Sequence, residues 1–402
     1  MSHHVMQQQN KNNQQQNSHK VLHVIEYFPG FVGYTGGGAE RLLERLITAQ
    51  GNSSPKGYRP LLYVANKKER DNHCGYPFVT VEDPERIKLE MSIQKHNHPD
   101  RILHFGNTFL IHRHPERFRK IVQNWKGPII QRVTLSSRVA DLFVMHQDQT
   151  TEYLSRIDAF ISQSDQMTKE LLNLGISAKK ITQIENGIDC ETKKPLSWKD
   201  KVALRKKLVP NIDPKGTLFL FVGRLGDPTK KVDELLETWR SGRFAEMGHH
   251  LVLAGNYDKL NLHASGFANK QDACDWSNVI FTGHLKEQGL DMYFQAADVY
   301  VSASEREGFS NSVLEAMSYA LPVLVRKGVS GYEHLIVPGK TGLLFRSPTE
   351  LSKKILYLAS SPLLRKKLGA SARAHVIKNY SIEQMVEKYR QLYSSLLVTS
   401  RN

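Results

Sequence analysis

The sequence contains few cysteines and no long hydrophobic run. Its 402 residues include three cysteines, Cys74, Cys190 and Cys274, and this odd, scattered set matches neither a disulfide framework nor a metal-binding spacing. No apolar run approaches the roughly 18 residues of a membrane-spanning helix. The polar amino-terminal residues also lack the apolar segment of a signal peptide. These absences predict a cytoplasmic protein with reduced thiols.

Acidic residues are scarcer than basic ones. The chain has 55 Lys and Arg against 40 Asp and Glu, which gives a formal net charge of +15. Basic runs such as Lys193–Lys207 and Arg365–Lys367 usually form a solvated surface, so we expect no specific nucleic-acid partner. A basic protein also favours anionic substrates or an anionic membrane surface, and composition alone does not choose between these.

The amino-terminal region has almost no apolar residues. Gln7–Asn17 consists almost entirely of Gln and Asn, and such a tract cannot bury enough apolar surface to fold alone. We therefore expect residues 1–19 to form a disordered tail outside the folded protein.

After this tail, short apolar runs alternate with helical patterns. Strand–helix alternation predicts parallel sheets covered on both faces, and therefore an α/β protein. The pattern lapses between about Cys190 and Lys215, which indicates two doubly wound domains in series. Open sheets of this kind bind ligands at the carboxyl ends of their strands. The expected strands are Val21–Phe28, Leu61–Ala65, Arg101–Phe105, Ile129–Thr134, Ala159–Ser162, Lys180–Ile184, Leu218–Val222, Leu251–Ala254, Val279–Thr282, Val299–Ser302, Pro322–Val325 and Thr341–Phe345.

The most informative pattern is a pair of carboxylates, Glu307 and Glu315, with a glycine and small polar residues between them. Ser310 can cap a helix that begins near Asn311, because its oxygen can accept a backbone N–H there. Glu307 then lies in the loop before the helix, and Glu315 lies about one turn inside it. A helix N-terminus favours a phosphate. A diphosphate there, with one carboxylate reaching each group that it joins, would form a nucleotide-sugar site.

Two further features follow predicted strands. The run Gly36–Gly38 precedes a helix that begins near Glu40, and glycines allow close backbone approach to an anion. This run lacks the spacing of a dinucleotide fingerprint, so a dehydrogenase is disfavoured. After the strand Leu218–Val222 come Arg224 and Lys230, a guanidinium and an ammonium suited to a diphosphate. Taken alone, such a pair is more often surface charge.

Together these motifs resemble glycosyltransferase family 4, which comprises retaining enzymes of the GT-B fold that use nucleotide-activated sugars. The resemblance spans about residues 20–397. It rests on Gly36–Glu40, Ser162–Ser164, Asn186–Asp189, Gly223-Arg224 with Lys230, Glu307–Glu315, Ala320–Val323 and Gly339–Leu344.

The resemblance implies two Rossmann-like domains that face each other across a cleft. Residues 20–190 would form the acceptor-side domain, residues 191–215 a linker, and residues 216–380 the donor-binding domain. Residues 381–402 would form a C-terminal helix that crosses back to the first domain.

The same resemblance implies a role for each matching residue. Arg224 and Lys230 would neutralise the donor diphosphate, Glu307 would contact the transferred sugar, and Glu315 would hold the ribose hydroxyls. The first domain's glycines would close over the phosphates. No cofactor or metal is expected, because the cations neutralise the charge. The implied donor-binding set is Gly37, Gly38, Arg224, Lys230, Gly308, Phe309, Ser310 and Glu315.

One departure concerns a histidine. Family members usually carry one at the end of a later strand of the first domain, and the strand Ile129–Thr134 is followed by none. His104, on the preceding strand, is the nearest catalytic candidate, and a structural role for it is an equal alternative. Arg132 or Arg138 could act at the phosphate instead. We expect front-face displacement, in which the leaving phosphate accepts the acceptor's proton.

The segment Pro115–Trp125 carries one apolar stripe of Phe118, Ile121, Val122 and Trp125 beside several basic residues. Packing of this stripe on the sheet is the favoured interpretation. The alternative is a peripheral membrane contact that meets a lipid-linked acceptor.

Two functions remain open at this stage. The preferred one is a glycosyltransferase that moves a sugar from a nucleotide diphosphate sugar to a saccharide or lipid-linked acceptor, in polysaccharide, lipopolysaccharide or glycolipid synthesis. The alternative is a catalytically weak GT-B protein that binds a nucleotide sugar or a partner transferase.

Overall fold

The chain divides into two compact units, Met1–Gly187 with Ile382–Asn402, and Ile188–Ser381. The structure, a computed structural model, describes residues 21–26, 45–46, 49–50, 60–65, 78–81, 87–106, 115–134, 154–255 and 278–399. Each unit contains one parallel sheet, as the strand–helix alternation predicts.

The first unit is built on a seven-stranded sheet of order β3-β2-β1-β4-β5-β6-β7. The alternation did not predict β3, a strand of four residues at the sheet edge. The strands are β1 Val21–Glu26, β2 Pro60–Ala65, β3 Phe78–Val81, β4 Ile102–Phe105, β5 Ile129–Arg132, β6 Ala159–Ser162 and β7 Ile181–Gln183, and the helices between them are α1 Ile87–Gln94, α2 Pro115–Asn124 and α3 Asp165–Asn173.

The second unit contains a six-stranded sheet of order β10-β9-β8-β11-β12-β13. Along β8, Leu218 and Leu220 enter one buried cluster, and Phe219 and Phe221 enter another. The sheet is thus apolar on both faces. The strands are β8 Leu218–Val222, β9 His250–Ala254, β10 Val279–Gly283, β11 Val299–Ser302, β12 Val323–Arg326 and β13 Gly342–Phe345, and the helices are α4 Trp198–Leu208, α5 Val232–Ser241, α6 Glu287–Ala296, α7 Asn311–Ser318, α8 Ser330–Glu333, α9 Pro348–Ser360 and α10 Pro362–Asn379.

The stretch 191–215, expected to be a linker, belongs instead to the second unit and contains α4. Charge anchors this helix. Arg205 lies 2.5 Å from Asp298 and Lys201 lies 3.1 Å from the same carboxylate. Burial acts to raise the pKa of Asp298, but the charges of Lys201 and Arg205 lower it. Leu204 and Leu208 of α4 also pack against the buried cluster of this unit. The helix is therefore held by an ion cluster together with a short apolar contact, in a stretch whose many lysines suggested a linker.

The last helix, α11 Ile382–Thr399, is part of the first unit. Met385, Tyr389 and Tyr393 are buried in the cluster that contains Ile102 and Ile130. This helix therefore covers one face of the first sheet, whereas the second buried cluster of this unit contains side chains of α2 and α3.

Helix α2 packs its apolar stripe into the core of the first unit. Phe118, Ile121, Val122 and Trp125 are each no more than 2% exposed. The packing interpretation of this stripe is therefore correct, and the interpretation of it as a membrane-surface face is wrong. None of the described helices is both long and apolar enough to cross a membrane.

We predict that Ile121→Ala lowers the free energy of unfolding by about 2–5 kcal/mol, because truncating a fully buried side chain leaves a cavity. Lys120, its exposed neighbour on α2, provides the control, and Lys120→Ala should change stability by less than about 0.5 kcal/mol. Urea unfolding measures both. Unchanged stability in Ile121→Ala, together with lost binding to anionic vesicles, would contradict the packing described here.

Candidate functional site

The candidate site lies at the carboxyl ends of β8 and β11, which pair in parallel. The loop after β8 carries Arg224 and ends in a short 3-10 helix, Pro228–Lys230. The loop after β11 carries Glu307 and leads into α7. Because neighbouring parallel strands end at the same edge of a sheet, these two loops lie side by side.

Lys230 and Glu307 form an ion pair between these loops. The Nζ atom of Lys230 lies 2.6 Å from Oε1 of Glu307, and each side chain is 14% exposed. A hydrogen bond between charged groups is stronger when it is shielded from solvent in this way than when it lies on the exposed surface. The two motifs, 77 positions apart in the chain, are thus joined at one point.

Asp227 organises the β8 loop. Its Oδ1 accepts hydrogen bonds from the backbone N–H and the hydroxyl of Thr229, at 3.0 and 2.7 Å. Its Oδ2 lies 2.6 Å from the guanidinium of Arg224. Burial acts to raise the pKa of Asp227, but the Thr229 hydroxyl and the Arg224 charge lower it. The carboxylate therefore stays ionised and orients Arg224, whose side chain is 58% exposed.

The helix after Glu307 begins where the sequence predicts, but the predicted cap is wrong. Ser310 occupies the N-cap position of α7, and its side chain makes no capping hydrogen bond. Its hydroxyl lies instead 3.4 Å from the hydroxyl of Ser312. The Ser312 oxygen in turn accepts a hydrogen bond from the Tyr300 hydroxyl at 2.8 Å. A hydroxyl chain therefore replaces the expected cap at this helix start.

The remaining donor-side residues are mostly buried. Glu315 lies one turn inside α7 and is 3% exposed. Phe309 packs edge-on against the rings of His334 and Tyr380 at centroid distances of 6.1 Å. Gly308 connects Phe309 to Glu307. Gly37 and Gly38, which carry the expected glycine loop, lie outside the described residues, as does Arg138.

His104 is a core residue rather than a catalytic candidate. It is fully buried on β4, its Nδ1 lies 3.2 Å from the Tyr393 hydroxyl, and its ring packs 5.6 Å from that of Tyr389. Arg132 on β5 is also buried and donates to Asn186 Oδ1 at 2.7 Å. The polar strand residues of the first unit thus hold α11 and the Asn186 turn, which corrects the catalytic interpretation of His104.

Sequence reasoning missed Tyr332. This residue of α8 is fully buried, and its hydroxyl lies 3.4 Å from Glu307 Oε1 and 2.7 Å from the Ser302 hydroxyl. No periodic pattern marks it, because α8 spans only Ser330–Glu333. The polar residue that ends β11, Ser302, is a weak signal that this strand end faces a polar site.

The second unit is similar to a known protein family. Residues 204–375 match the family model described as Glycosyl transferases group 1. This stretch contains Arg224, Lys230, Glu307 and Glu315, so the whole described constellation lies within the matched domain.

Individual proteins are also similar to part of the chain. Trehalose synthase from Pyrococcus horikoshii is 32% identical over 219 residues, which cover 52% of this chain and 51% of that protein. The chain thus spans about half the length of this relative.

Solved structures match nearly the whole chain. The structure of HepE from Anabaena, solved with UDP and glucose, has a TM-score of 0.76 at 17% identity and covers 94% of this chain and 100% of that one. Sucrose-phosphate synthase from Thermosynechococcus elongatus has a TM-score of 0.71 at 18% identity, with coverage of 95% and 100%. These likenesses confirm the predicted fold class, GT-B with two Rossmann-like domains.

Gly331 tests how tightly α8 packs on the Glu307 loop. A Cβ atom there would lie 2.5 Å from the Glu307 carbonyl oxygen. We therefore predict that Gly331→Ala lowers the free energy of unfolding by about 1–3 kcal/mol through overpacking. Gly289 on α6 is a matched control, since its added Cβ would meet only Leu285 at 3.6 Å.

In that control, Gly289→Ala should raise stability by about 0.5–1 kcal/mol, because alanine is the better residue in a helix. Urea unfolding of both variants measures the two opposite signs. Equal effects of the two substitutions would contradict the close packing at Gly331.

Proposed function

We propose that this protein is a retaining glycosyltransferase of the family 4 type, which moves a sugar from a nucleotide diphosphate sugar to a saccharide or lipid-linked acceptor. The observation that carries the proposal is the ion pair of Lys230 and Glu307, which joins a cation and a carboxylate at the strand ends beside the start of α7.

The donor diphosphate is the group that these cations would neutralise. Arg224 has a guanidinium that is 58% exposed and held in place by Asp227. Lys230 supplies a second positive charge within reach of the same edge, and the first N–H groups of α7 add a positive dipole end. Negative charge grows on the diphosphate as the sugar leaves, so this arrangement favours the transition state.

The carboxylates would hold the two groups that the diphosphate joins. In this proposal Glu307 accepts hydrogen bonds from hydroxyls of the transferred sugar, and Glu315 accepts them from the ribose. Both residues lie in the matched domain, Glu307 in the loop before α7 and Glu315 about one turn inside this helix. A carboxylate binds vicinal hydroxyls well because it offers two acceptor oxygens.

The transfer step would proceed on one face of the sugar. The bond from the anomeric carbon to the diphosphate oxygen breaks, and its electron pair stays on that oxygen. The acceptor oxygen bonds to the anomeric carbon on the same face, and its proton passes to the departing phosphate. This step needs no histidine base, and it therefore agrees with the burial of His104.

The names of similar proteins support the donor and acceptor classes. Trehalose synthase from Pyrococcus horikoshii is named for a saccharide product, and HepE from Anabaena was solved with UDP and glucose. A uridine diphosphate sugar is therefore the first donor to test. No cofactor is proposed. Among the described residues, no group of three His, Cys, Asp or Glu side chains could hold a metal ion.

The proposal predicts that the protein binds a nucleoside diphosphate. One diphosphate among UDP, GDP, ADP and dTDP, tested beside the monophosphate CMP, should raise the Tm by about 5–10 °C at 100 times its Kd, with or without magnesium. Arg224→Ala should remove most of this shift. Arg240, an exposed arginine that is also paired with a carboxylate three positions away, provides the control, and Arg240→Ala should keep it. If none of these nucleotides raised the Tm of the folded protein, the result would contradict donor binding.

The proposal also predicts that sugar transfer depends on the charge of Glu307. Glu307→Gln should lower kcat for sugar transfer by about 100-fold, because the lost charge acts in the transition state. Glu305 is the matched control, since it lies two positions earlier and is 48% exposed, and Glu305→Gln should stay within about twofold. Transfer of a radiolabelled sugar measures both. Equal rates for Glu307→Gln and wild type would contradict the assigned role.

A further inference from the structure

Three buried hydroxyl groups form a hydrogen-bonded chain that ends at the Glu307 carboxylate. The Tyr332 hydroxyl lies 3.4 Å from Glu307 Oε1 and 2.7 Å from the Ser302 hydroxyl. Ser302 lies in turn 3.1 Å from the hydroxyl of Ser304. Tyr332 and Ser304 have no exposed surface, and Ser302 is 1% exposed. Water therefore does not replace these contacts.

The carboxylate fixes the direction of this chain. An ionised carboxylate only accepts hydrogen bonds, so Tyr332 donates to Glu307. The oxygen of Tyr332 then accepts, so the Ser302 hydroxyl donates to it. The Ser302 oxygen accepts from Ser304, whose backbone N–H also points to it at 3.4 Å. All donors thus run toward Glu307, and aligned donors of this kind strengthen one another.

The same short helix also holds the backbone of Glu307. The N–H of Gly331 donates to the Glu307 carbonyl oxygen at 3.2 Å, and an added Cβ on Gly331 would collide with that backbone. Residues 331 and 332 of α8 therefore fix the main chain and the carboxylate of Glu307 together, through two contacts that differ in kind.

Lys230 donates to the same oxygen as Tyr332, Oε1, at 2.6 Å. The two donors differ in mobility. Lys230 is an ammonium on a flexible stem that a phosphate can attract, whereas Tyr332 is a rigid, fully buried ring. The contact from Tyr332 therefore stays in place when an anion attracts Lys230.

We propose that Tyr332 is a positioning residue of the site, which keeps the Glu307 carboxylate oriented for the sugar when the donor diphosphate draws Lys230 away. This inference rests on the proposed function. Ser302 and Ser304 support this role, because the Ser302 hydroxyl donates to the Tyr332 oxygen and leaves the Tyr332 proton directed toward the carboxylate.

The ionisation of Tyr332 agrees with this role. Burial raises the pKa of Tyr332 well above its usual value, and the nearby charge of Glu307 raises it further. The phenol thus keeps its proton throughout the neutral and mildly alkaline range and remains a donor.

The first arm of the test does not depend on catalysis. Urea unfolding of the full chain is measured for Tyr332→Phe, Glu307→Ala and the double variant. The two substitutions should be non-additive by at least about threefold in the unfolding equilibrium constant, because each removes the same contact. Additive effects would overturn the contact, whether or not the protein transfers sugar.

The second arm measures the kinetics of the full chain with the donor that stabilises it. Tyr332→Phe should lower kcat by about tenfold and leave the donor KM within about twofold, the signature of lost orientation rather than lost binding. Ser302→Ala should give a smaller fall in kcat that is not additive with Tyr332→Phe. Tyr380, whose hydroxyl donates to the His334 carbonyl at 3.0 Å, is the control, and Tyr380→Phe should keep kcat within about twofold.

The outcomes separate the two proposals. An unchanged kcat in Tyr332→Phe would overturn the positioning role even if the unfolding cycle shows coupling. An equal loss in Tyr380→Phe would overturn it too, since any buried hydroxyl would then suffice. A wild type that transfers sugar from no donor would overturn the proposed function, and the unfolding cycle would still decide whether Tyr332 holds Glu307.

Discussion

The ion pair between Lys230 and Glu307 is the contact on which the candidate site depends. Two parallel strands, β8 and β11, end side by side and bring the two loops together. Each loop is then fixed from its own side. Asp227 holds the turn before Lys230 through Thr229, and α8 holds the Glu307 segment through Gly331. The backbones on both sides of the pair are thus held in place, which a preorganised charge requires.

The chemistry of the site follows from the positions of its positively and negatively charged side chains. The Lys230 ammonium meets Glu307 in the loop before α7, and the Arg224 guanidinium lies on the same loop as Lys230. A second carboxylate, Glu315, lies about one turn inside α7. Cations and a helix N-terminus suit a diphosphate, whereas carboxylates suit the hydroxyls on either side of it. A nucleotide sugar carries these groups in that order, and the matched glycosyl transferases group 1 domain contains the whole arrangement.

Local and periodic features could be predicted from the sequence. The strand–helix alternation gave the two parallel sheets, and the spacing of Glu307 and Glu315 placed one in a loop and one in a helix. Features that depend on contacts distant in sequence could not be predicted. Tyr332 acts through Ser302 and Glu307, on other elements, and lies on a helix too short for a pattern.

The wrong predictions have physical causes as well. His104 at a strand end looks the same whether it faces a ligand or the core, and only the packing of Tyr389 and Tyr393 shows that it faces the core. Residues 191–215 resembled a linker because the stretch is rich in lysine, yet Lys201 and Arg205 pair with Asp298 and two leucines, Leu204 and Leu208, pack against the core. Ser310 was a reasonable candidate for the helix cap, but its hydroxyl contacts the hydroxyl of Ser312 and makes no capping hydrogen bond.

The most direct test of this account is calorimetric titration of the stabilising diphosphate into wild type and Lys230→Ala. If Lys230 and its partner form the donor site, the Kd should rise by about 10- to 100-fold in the variant, the loss expected for one charged hydrogen bond. An unchanged Kd in a folded Lys230→Ala protein would contradict the account, because the ion pair would then be structural only.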